Sequence, residues 1–331
     1  MEREEREKLA RKRIVSILNN HAIATMRTLE QKISDAGPYN QRIDPHILTT
    51  VRNQLMKEGR VVKLNNQVPW YHLNDTPVEI IKQRLAEQLP IFLGLQRGGL
   101  GSRIGQCLEI AIFRALLSQD QLEFLGYFNN LDEHDDSRLY SKEEPPQSLS
   151  GLRLEGDQRL DFLVRQEDVG WAGMEAKNVR EWLYPNRSEI TELIEKAVAL
   201  DIVPILIARR IPFVTFKVLS TCGVVFHQTY NQLYPDADRE LAEQARNKDL
   251  LGYHDIRIGN EPDERLLKFI GTNLPQVLLE AREKFDEYKD LLADFAYGEI
   301  EYAEFAARVR RRTEGTNEDS DWEMPEDGYY E

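Results

Sequence analysis

Four strand-like runs and one helix between residues 159 and 230 set the narrowest limit on what this chain can fold into. RLDFLVR (159–165) and GWAGMEAKN (170–178) come first, then a helical pattern near 188–200, then VPILIARR (203–210) and CGVVFHQTY (222–230). Strands, a helix and further strands in that order describe an α/β core. Ahead of them, Arg103 to about Leu117 is strongly periodic. Ile104, Cys107, Leu108, Ala111, Ile112, Ala115 and Leu116 share one face, and Glu109 lies at its edge. Between that helix and the strands, residues 128–150 are polar, contain Pro145-Pro146 and read as an inserted loop. Its run Asp132, Glu133, His134, Asp135, Asp136 reads as a solvated turn, because consecutive side chains cannot all point at one ion.

The first 75 residues have a different order. Residues 3–20 read as a helix with Leu9, Ile14, Val15, Ile17 and Leu18 on one side. Thr25 caps a second helix that reaches about Ser34, before Gly37-Pro38. Asp44 and Pro45 suit the start of a third helix, which buries Ile47, Leu48, Val51 and Leu55 and ends at Gly59. RVVKLNNQVPWYHL then gives two β-rich runs about Asn65-Asn66. Three helices and a hairpin in this order resemble a winged helix. The resemblance implies a third helix that enters a DNA major groove and a hairpin that touches the backbone. Its polar face would offer His46, Thr49, Thr50, Arg52, Asn53 and Lys57, with Arg60 and Lys63 on the wing. The other reading is a protein-interaction module, whose solvated helix face has the same composition.

Thr76-Pro77 opens a connector helix to about Leu89, and LGLQRGGLGS (93–102) reads as a Gly-rich linker whose end caps the next helix through Ser102. It lacks the Lys-Ser/Thr pair of a phosphate-binding loop. No apolar run exceeds about ten residues, so no membrane span is expected. The charged N-terminus lacks the apolar stretch of a signal peptide. Cys107 and Cys222 sit apart in apolar stretches, which fits neither a disulfide framework nor a thiolate zinc site. A soluble, cytoplasmic protein is expected. Net charge is −14, but unevenly spread. Residues 1–75 hold 13 Lys/Arg against 9 Asp/Glu, whereas residues 313–331 hold 8 acidic groups and no Lys or Arg. A mean charge therefore does not exclude a polyanionic partner for one patch.

The chemistry concentrates at Asp161 and Glu175-Ala176-Lys177. Alternate side chains of a strand share a face, so Glu175 and Lys177 point together. Asp161 precedes by a short connection, and an antiparallel pair would bring all three to one edge. Two carboxylates and an ammonium suit phosphodiester hydrolysis. Asp161 and Glu175 offer hard oxygen ligands for Mg²⁺, with Mn²⁺ as a substitute, and Lys177 could orient water or stabilise developing charge. The alternative is a structural ion pair on a sheet edge. Glu-x-Lys occurs three times, at Glu30–Lys32, Glu175–Lys177 and Glu287–Lys289, and only the middle one follows an aspartate-bearing strand.

With RLDFLV and GMEAKN in place, the sequence resembles the PD-(D/E)XK nuclease superfamily, which includes restriction endonucleases. The resemblance covers about residues 100–230. It implies a restriction-endonuclease-like mixed sheet flanked by helices, with Glu109 of the preceding helix as an added acidic ligand. Leu160 stands where proline is frequent, and the Gln-x-x-x-Tyr element of exonuclease-like members is absent. Arg180 and Arg209 are candidate phosphate contacts beside this set. The expected layout is a winged-helix-like domain (1–75), a connector (76–101), a nuclease-like core (102–260), a helical segment (261–312) and an acidic disordered tail (313–331). The helical segment 276–312 could pair two copies in a homodimer or bind a partner subunit. The expected function is a metal-dependent DNA endonuclease in restriction, mobile-element defence or DNA processing. The alternative is a catalytically degenerate DNA-binding regulator or assembly subunit, and RNA or branched DNA is a further possible substrate.

Overall fold

The computed structural model describes residues 3–35, 41–133 and 135–316. The chain divides into two compact units, one holding Met1–Gly101 with Asp238–Ile258, the other Ser102–Ala237 with Gly259–Glu331.

The first unit begins with α1 (Arg3–His21), which buries Ala10, Ile14 and Leu18. A two-residue strand, β1 (Ala24–Thr25), leads into α2 (Met26–Ile33), and the Thr25 hydroxyl caps it by accepting the Thr28 N–H at 3.1 Å. Next, α3 (Pro45–Lys57) buries Ile47, Leu48, Val51 and Leu55. Asp44 makes no capping hydrogen bond there. Its carboxylate accepts from Arg6 of α1 at 3.3 Å instead. The hairpin β2 (Val61–Asn65) and β3 (Pro69–Leu73) pairs antiparallel, and β1 adds to the other side of β3. Its apolar side closes over the three helices in one core.

The expected Gly-rich linker is mostly helix. α4 runs Val78–Leu95, straight through Pro90, and α5 starts at Leu100, so only Gln96–Gly99 lies outside both. Ser102 falls inside the first turn of α5 and does not cap it. Packing, rather than flexibility, explains two of these residues. Leu100 is fully buried, and a side chain at Gly94 would press within 2.9 Å of Leu241.

α5 (Leu100–Leu117) carries the chain into the second unit. There β4 (Glu123–Leu125), the short pairs β5 (Tyr127–Phe128) with β6 (Lys142–Glu143) and β7 (Ser148–Leu149) with β8 (Leu152–Arg153) precede β9 (Phe162–Gln166) and β10 (Gly170–Lys177). The supposed loop 128–150 is therefore partly strand. Within it Asp136 is buried, not solvated. It accepts hydrogen bonds from Tyr140, from Asn260 at 3.2 Å and from the Asp236 N–H at 3.0 Å, while His134 lies outside the described residues.

α6 (Ser188–Leu200), β11 (Val203–Ala208), α7 (Phe213–Thr221) and β12 (Val225–Gln228) complete a five-stranded sheet in the order β12-β11-β10-β9-β4. The pairs β10/β11 and β11/β12 are parallel, and β9/β10 and β4/β9 antiparallel. The fold class is thus mixed α/β about a mixed sheet flanked by helices. Ala172, Met174 and Ala176 of β10 face a core shared with α5. Leu206 and Ala208 of β11 face the core built on α6.

After β13 (Gln232–Tyr234), α8 (Arg239–Arg246) belongs to the first unit, although the sequence placed residues 238–258 with the 102–260 core. Side chains fix that assignment. Leu241 sits over Gly94, Asp238 pairs with Arg97, Lys32 donates to the Lys248 carbonyl at 2.7 Å, and Gln31 bonds His254 at 3.2 Å.

The C-terminal helices close the second unit. α9 (Glu264–Lys268) and a π-helical turn (Phe269–Asn273) lead into α10 (Leu274–Ala296) and α11 (Tyr302–Glu314). Leu274, Leu278 and Ala281 enter the α5-side core, and Phe285, Tyr288 and Leu292 the α6-side core. These residues of the segment are core structure, while Val277, Leu279 and Tyr297 of the same stretch are exposed. The expected disordered tail (313–331) begins inside α11, which runs to Glu314, and its residues from 317 on lie outside the described residues.

Gly223 permits this closure. It has φ +86°, and a Cβ there would stand 2.4 Å from the Ala281 carbonyl oxygen and 2.5 Å from the Phe285 nitrogen. Gly223→Ala should cost at least ~2 kcal/mol in urea unfolding, from the left-handed backbone and the forced separation of α10. Gly105→Ala, in α5 with open space around it, should instead stabilise by roughly 0.5–1 kcal/mol. Equal effects of the two would show that α10 does not depend on that contact.

Candidate functional site

The site lies where β10 ends and β9 begins. Period-2 alternation places Glu175 and Lys177 on one face of β10, and their side chains meet at 2.8 Å. Asp161 stands one residue before β9 rather than within it. Its N–H donates to the Met174 carbonyl at 3.1 Å, and its Oδ2 accepts the Ala176 N–H at 2.7 Å. The carboxylate thus continues the β9–β10 ladder in place of a backbone carbonyl, which fixes its position beside Glu175. Gly126 holds the other side: a Cβ there would lie 2.8 Å from the Asp161 carbonyl oxygen.

Glu175 is 3% exposed, and a buried carboxylate needs partners that offset several kcal/mol of lost hydration. It has two. Lys177 donates to Oε2, and Lys196 of α6 donates to Oε1 at 2.6 Å and to the Arg159 carbonyl at 2.7 Å. Burial alone would raise the Glu175 pKa, but the two ammonium groups hold it below the usual carboxylate value. Lys196 was missed in the sequence, although a signal exists. It sits at the i+3 position from Leu193 and i−4 from Leu200, within the apolar arc of α6, where a lysine needs a reason.

Glu109 reaches the site from α5. It and Asp161 share one cation, Lys142 of β6, whose Nζ is 2.6 Å from Glu109, 3.5 Å from Glu144 and 3.6 Å from Asp161. Pairing of Phe128 with Lys142 across β5 and β6 delivers that ammonium. Nothing in the polar 128–150 segment distinguishes Lys142 from its neighbours by sequence. Burial, and then the negative charges of Glu175 and Glu109, push Asp161 up to about 8, against the pull of Lys142.

The structure thus gathers Glu109, Asp161, Glu175 and Lys177 at one strand end, each against a counter-charge. Among the described residues no group of three or more His, Cys, Asp or Glu side chains stands in metal-holding geometry. The donor chemistry nonetheless fits Mg²⁺. That ion keeps most of its waters and uses one or two carboxylates, and Glu109 and Asp161 already converge on a single cation, the Lys142 ammonium.

The arginines predicted to touch phosphate fare differently. Arg180 is half-buried and donates to Gln232 at 2.8 Å. Arg209 is 2% exposed and is spent on the Val179 and Arg180 carbonyls, so it braces the loop after β10 and offers nothing at the surface. The same loop is anchored by Asn178. Its amide bonds the Ile104 carbonyl at 2.6 Å, the Leu233 carbonyl at 2.8 Å and the Leu233 N–H at 3.1 Å. His227 is not a ligand-side group. Its ring stacks on Phe269 at 4.4 Å, and burial lowers its pKa to about 4.

In the first unit, Asn53, Lys57, Arg60 and Lys63 are exposed, and Thr49 and Arg52 half-buried. Arg52 lies over the Tyr71 ring and donates to the Tyr71 hydroxyl at 3.1 Å and to Asn53 at 2.8 Å. α3 and the hairpin therefore present these side chains on one folded module, with Arg52 packed rather than free.

No protein-family model matches the chain, and no curated protein or solved structure gives a significant match. Among the described residues no helix is long and apolar enough to cross a membrane.

A raised Asp161 pKa has a signed consequence. The folded state keeps a proton that the unfolded chain releases near the ordinary aspartate value. This group's contribution to stability is therefore full below that value and is lost as pH rises toward about 8. Asp161→Asn mimics the protonated form and should flatten the fall in stability between pH ~4 and ~8 in chemical denaturation. An unchanged slope would assign that pH dependence to other groups.

Proposed function

We propose that this chain is a metal-dependent DNA endonuclease. In this reading the second unit is a restriction-endonuclease-like PD-(D/E)XK domain and the first a winged helix that supplies DNA affinity. The observation that carries it is the convergence of Asp161, Glu175 and Lys177 at one end of a mixed sheet, with Glu109 arriving from the helix before it. Asp161 is held by the Ala176 N–H, and Lys177 shares the β10 face with Glu175, so the set sits on rigid elements.

Glu109, Asp161 and Glu175 would hold Mg²⁺ or Mn²⁺, which when bound polarises a phosphoryl oxygen and acidifies coordinated water. The chain's own groups do the rest. Lys177, 23% exposed at its side chain, is placed to donate to a phosphoryl oxygen or orient a water while it stays paired to Glu175. The charge and hydrogen bond of Glu175, with Asp161 beside it, raise the Lys177 pKa despite burial, so in this reading it acts as a cation and not as a base. In the first unit, exposed Lys57, Arg60 and Lys63, with Asn53 and Thr49 on α3, form the DNA-facing set. The order helix, short strand, two helices and hairpin, with the short strand beside the hairpin, supports the winged-helix reading.

One observation favours the alternative, a nuclease-like scaffold that binds DNA without cutting. Every acidic group of the set already faces a lysine ammonium, as in a stable structural cluster.

Incubation of the purified chain with supercoiled plasmid in Mg²⁺, Mn²⁺ or EDTA decides between them. Metal-dependent nicking or linearisation is expected, and Asp161→Ala or Lys177→Ala should reduce it by about a hundredfold or more. Binding without cutting on duplex, branched and RNA substrates would leave the scaffold. Separately, the double substitution Lys57→Ala with Lys63→Ala should weaken duplex binding and lower the slope of log K against log salt by about 2. An unchanged slope would remove α3 and the hairpin from the interface.

A further inference from the structure

Lys142 belongs to none of the motifs legible in the sequence, yet its ammonium bridges two of the proposed ligand carboxylates. Its side chain is 6% exposed, and Nζ stands 2.6 Å from Glu109 and 3.6 Å from Asp161. Glu144 completes the cage at 3.5 Å, and the rings of Phe162 and Phe128 lie 4.9 Å and 5.6 Å away. A divalent cation bound by the same oxygens would need the lone pairs that now face the ammonium. It would also sit within a few ångströms of a like charge, in a place where water screens poorly. Both cations cannot occupy that position together.

We infer that Lys142 is the resident counter-ion of the cation site, and that a divalent ion loads only by displacing its ammonium and freeing the β5–β6 hairpin from Asp161. The inference rests on the metal-dependent reading of this site. In the metal-free protein Lys142 is a positioning residue: its ammonium holds Glu109 and Asp161 together and supplies the counter-charge that lets the cluster fold without a metal. On loading, the ammonium leaves the carboxylates and the metal takes over their neutralisation. Lys142 of that hairpin contacts both Glu109 on α5 and Asp161 just before β9, so loading is coupled to the order of the hairpin.

The test is Mn²⁺ binding to the full chain, followed by calorimetry and electron paramagnetic resonance, for wild type, Lys142→Met, Lys142→Arg and Asp161→Ala. Methionine keeps an unbranched stem against Phe128 and Phe162 and removes the charge. Lys142→Met should bind Mn²⁺ about tenfold tighter than wild type, a difference of ~1.4 kcal/mol. Lys142→Arg should match wild type, and Asp161→Ala should lose the signal. Hydrogen exchange on the wild-type protein gives a second readout that needs no variant: Mn²⁺ should speed exchange across 139–144. Equal or weaker binding by a Lys142→Met protein with native circular dichroism overturns the inference, as does unchanged or slower exchange across 139–144 on Mn²⁺ binding. Both results leave the metal site itself standing. Absence of Mn²⁺ binding in wild type and every variant overturns the inference and the metal-dependent reading together.

Discussion

Val203–Ala208 is buried at all six positions, and a strand with no polar face exists only between two covering layers. α5 and the first half of α10 cover one side, and α6, α7, α11 and the rest of α10 the other. Each covering Leu or Phe contributes about 1.5–3 kcal/mol, which neither layer supplies alone. Polar chemistry is thereby confined to the strand ends and to the loops that leave them. Asp161, Lys177, Asn178 and Arg209 all stand at such ends. The central strand decides where a site can be before any catalytic residue is considered.

Glu175 is the exception to that confinement, because it sits inside the strand at 3% exposure. A single ion pair at such depth roughly breaks even against an apolar substitute, so the pair with Lys177 does not by itself account for the residue. Lys196 changes the balance. It approaches from α6, satisfies the second carboxylate oxygen and spends a further donor on the Arg159 carbonyl, which ties the start of β9 to the same cluster. Glu109, Asp161 and Lys142 form a second cluster built from the opposite layer. The two meet at Asp161, where the negative charges of Glu175 and Glu109 join burial to favour the protonated acid. A site that draws on both layers is sensitive to how each packs, and Gly126 and Gly223, tight against backbone, are where that packing has least slack.

How legible each part was follows from how local its cause is. Thr25, Pro45 and the β2–β3 hairpin act over a few residues, and α1, α2, α3 and that hairpin lie where the pattern puts them. Glu175 and Lys177 share a face because a strand has period two, which needs no tertiary knowledge. Gly94 and Gly101, which lie inside helices, misled, because glycine count cannot separate flexibility from helix or close packing; Leu241 against Gly94 is a contact across about 150 residues of chain. Lys142 and residues 238–258 were opaque for the same reason. Their roles are set by Glu109, Asp161, Lys32 and Arg97, none of them local neighbours.

Net charge, the bulk property that argues most strongly against a nucleic-acid partner, loses its force at the scale of the modules. Charges separated by more than about 8 Å of physiological saline are largely screened, so an approaching phosphate responds to the nearest face and not to the sum. On α3 and the hairpin that face carries Lys57, Arg60 and Lys63, exposed beside the amide of Asn53. The acidic groups at the proposed cutting site are turned inward and paired with Lys142, Lys177 and Lys196, so they add little repulsion there. The internal lysines therefore serve two ends at once. They make a buried carboxylate cluster foldable, and they prevent it from repelling the polyanion on which it is proposed to act.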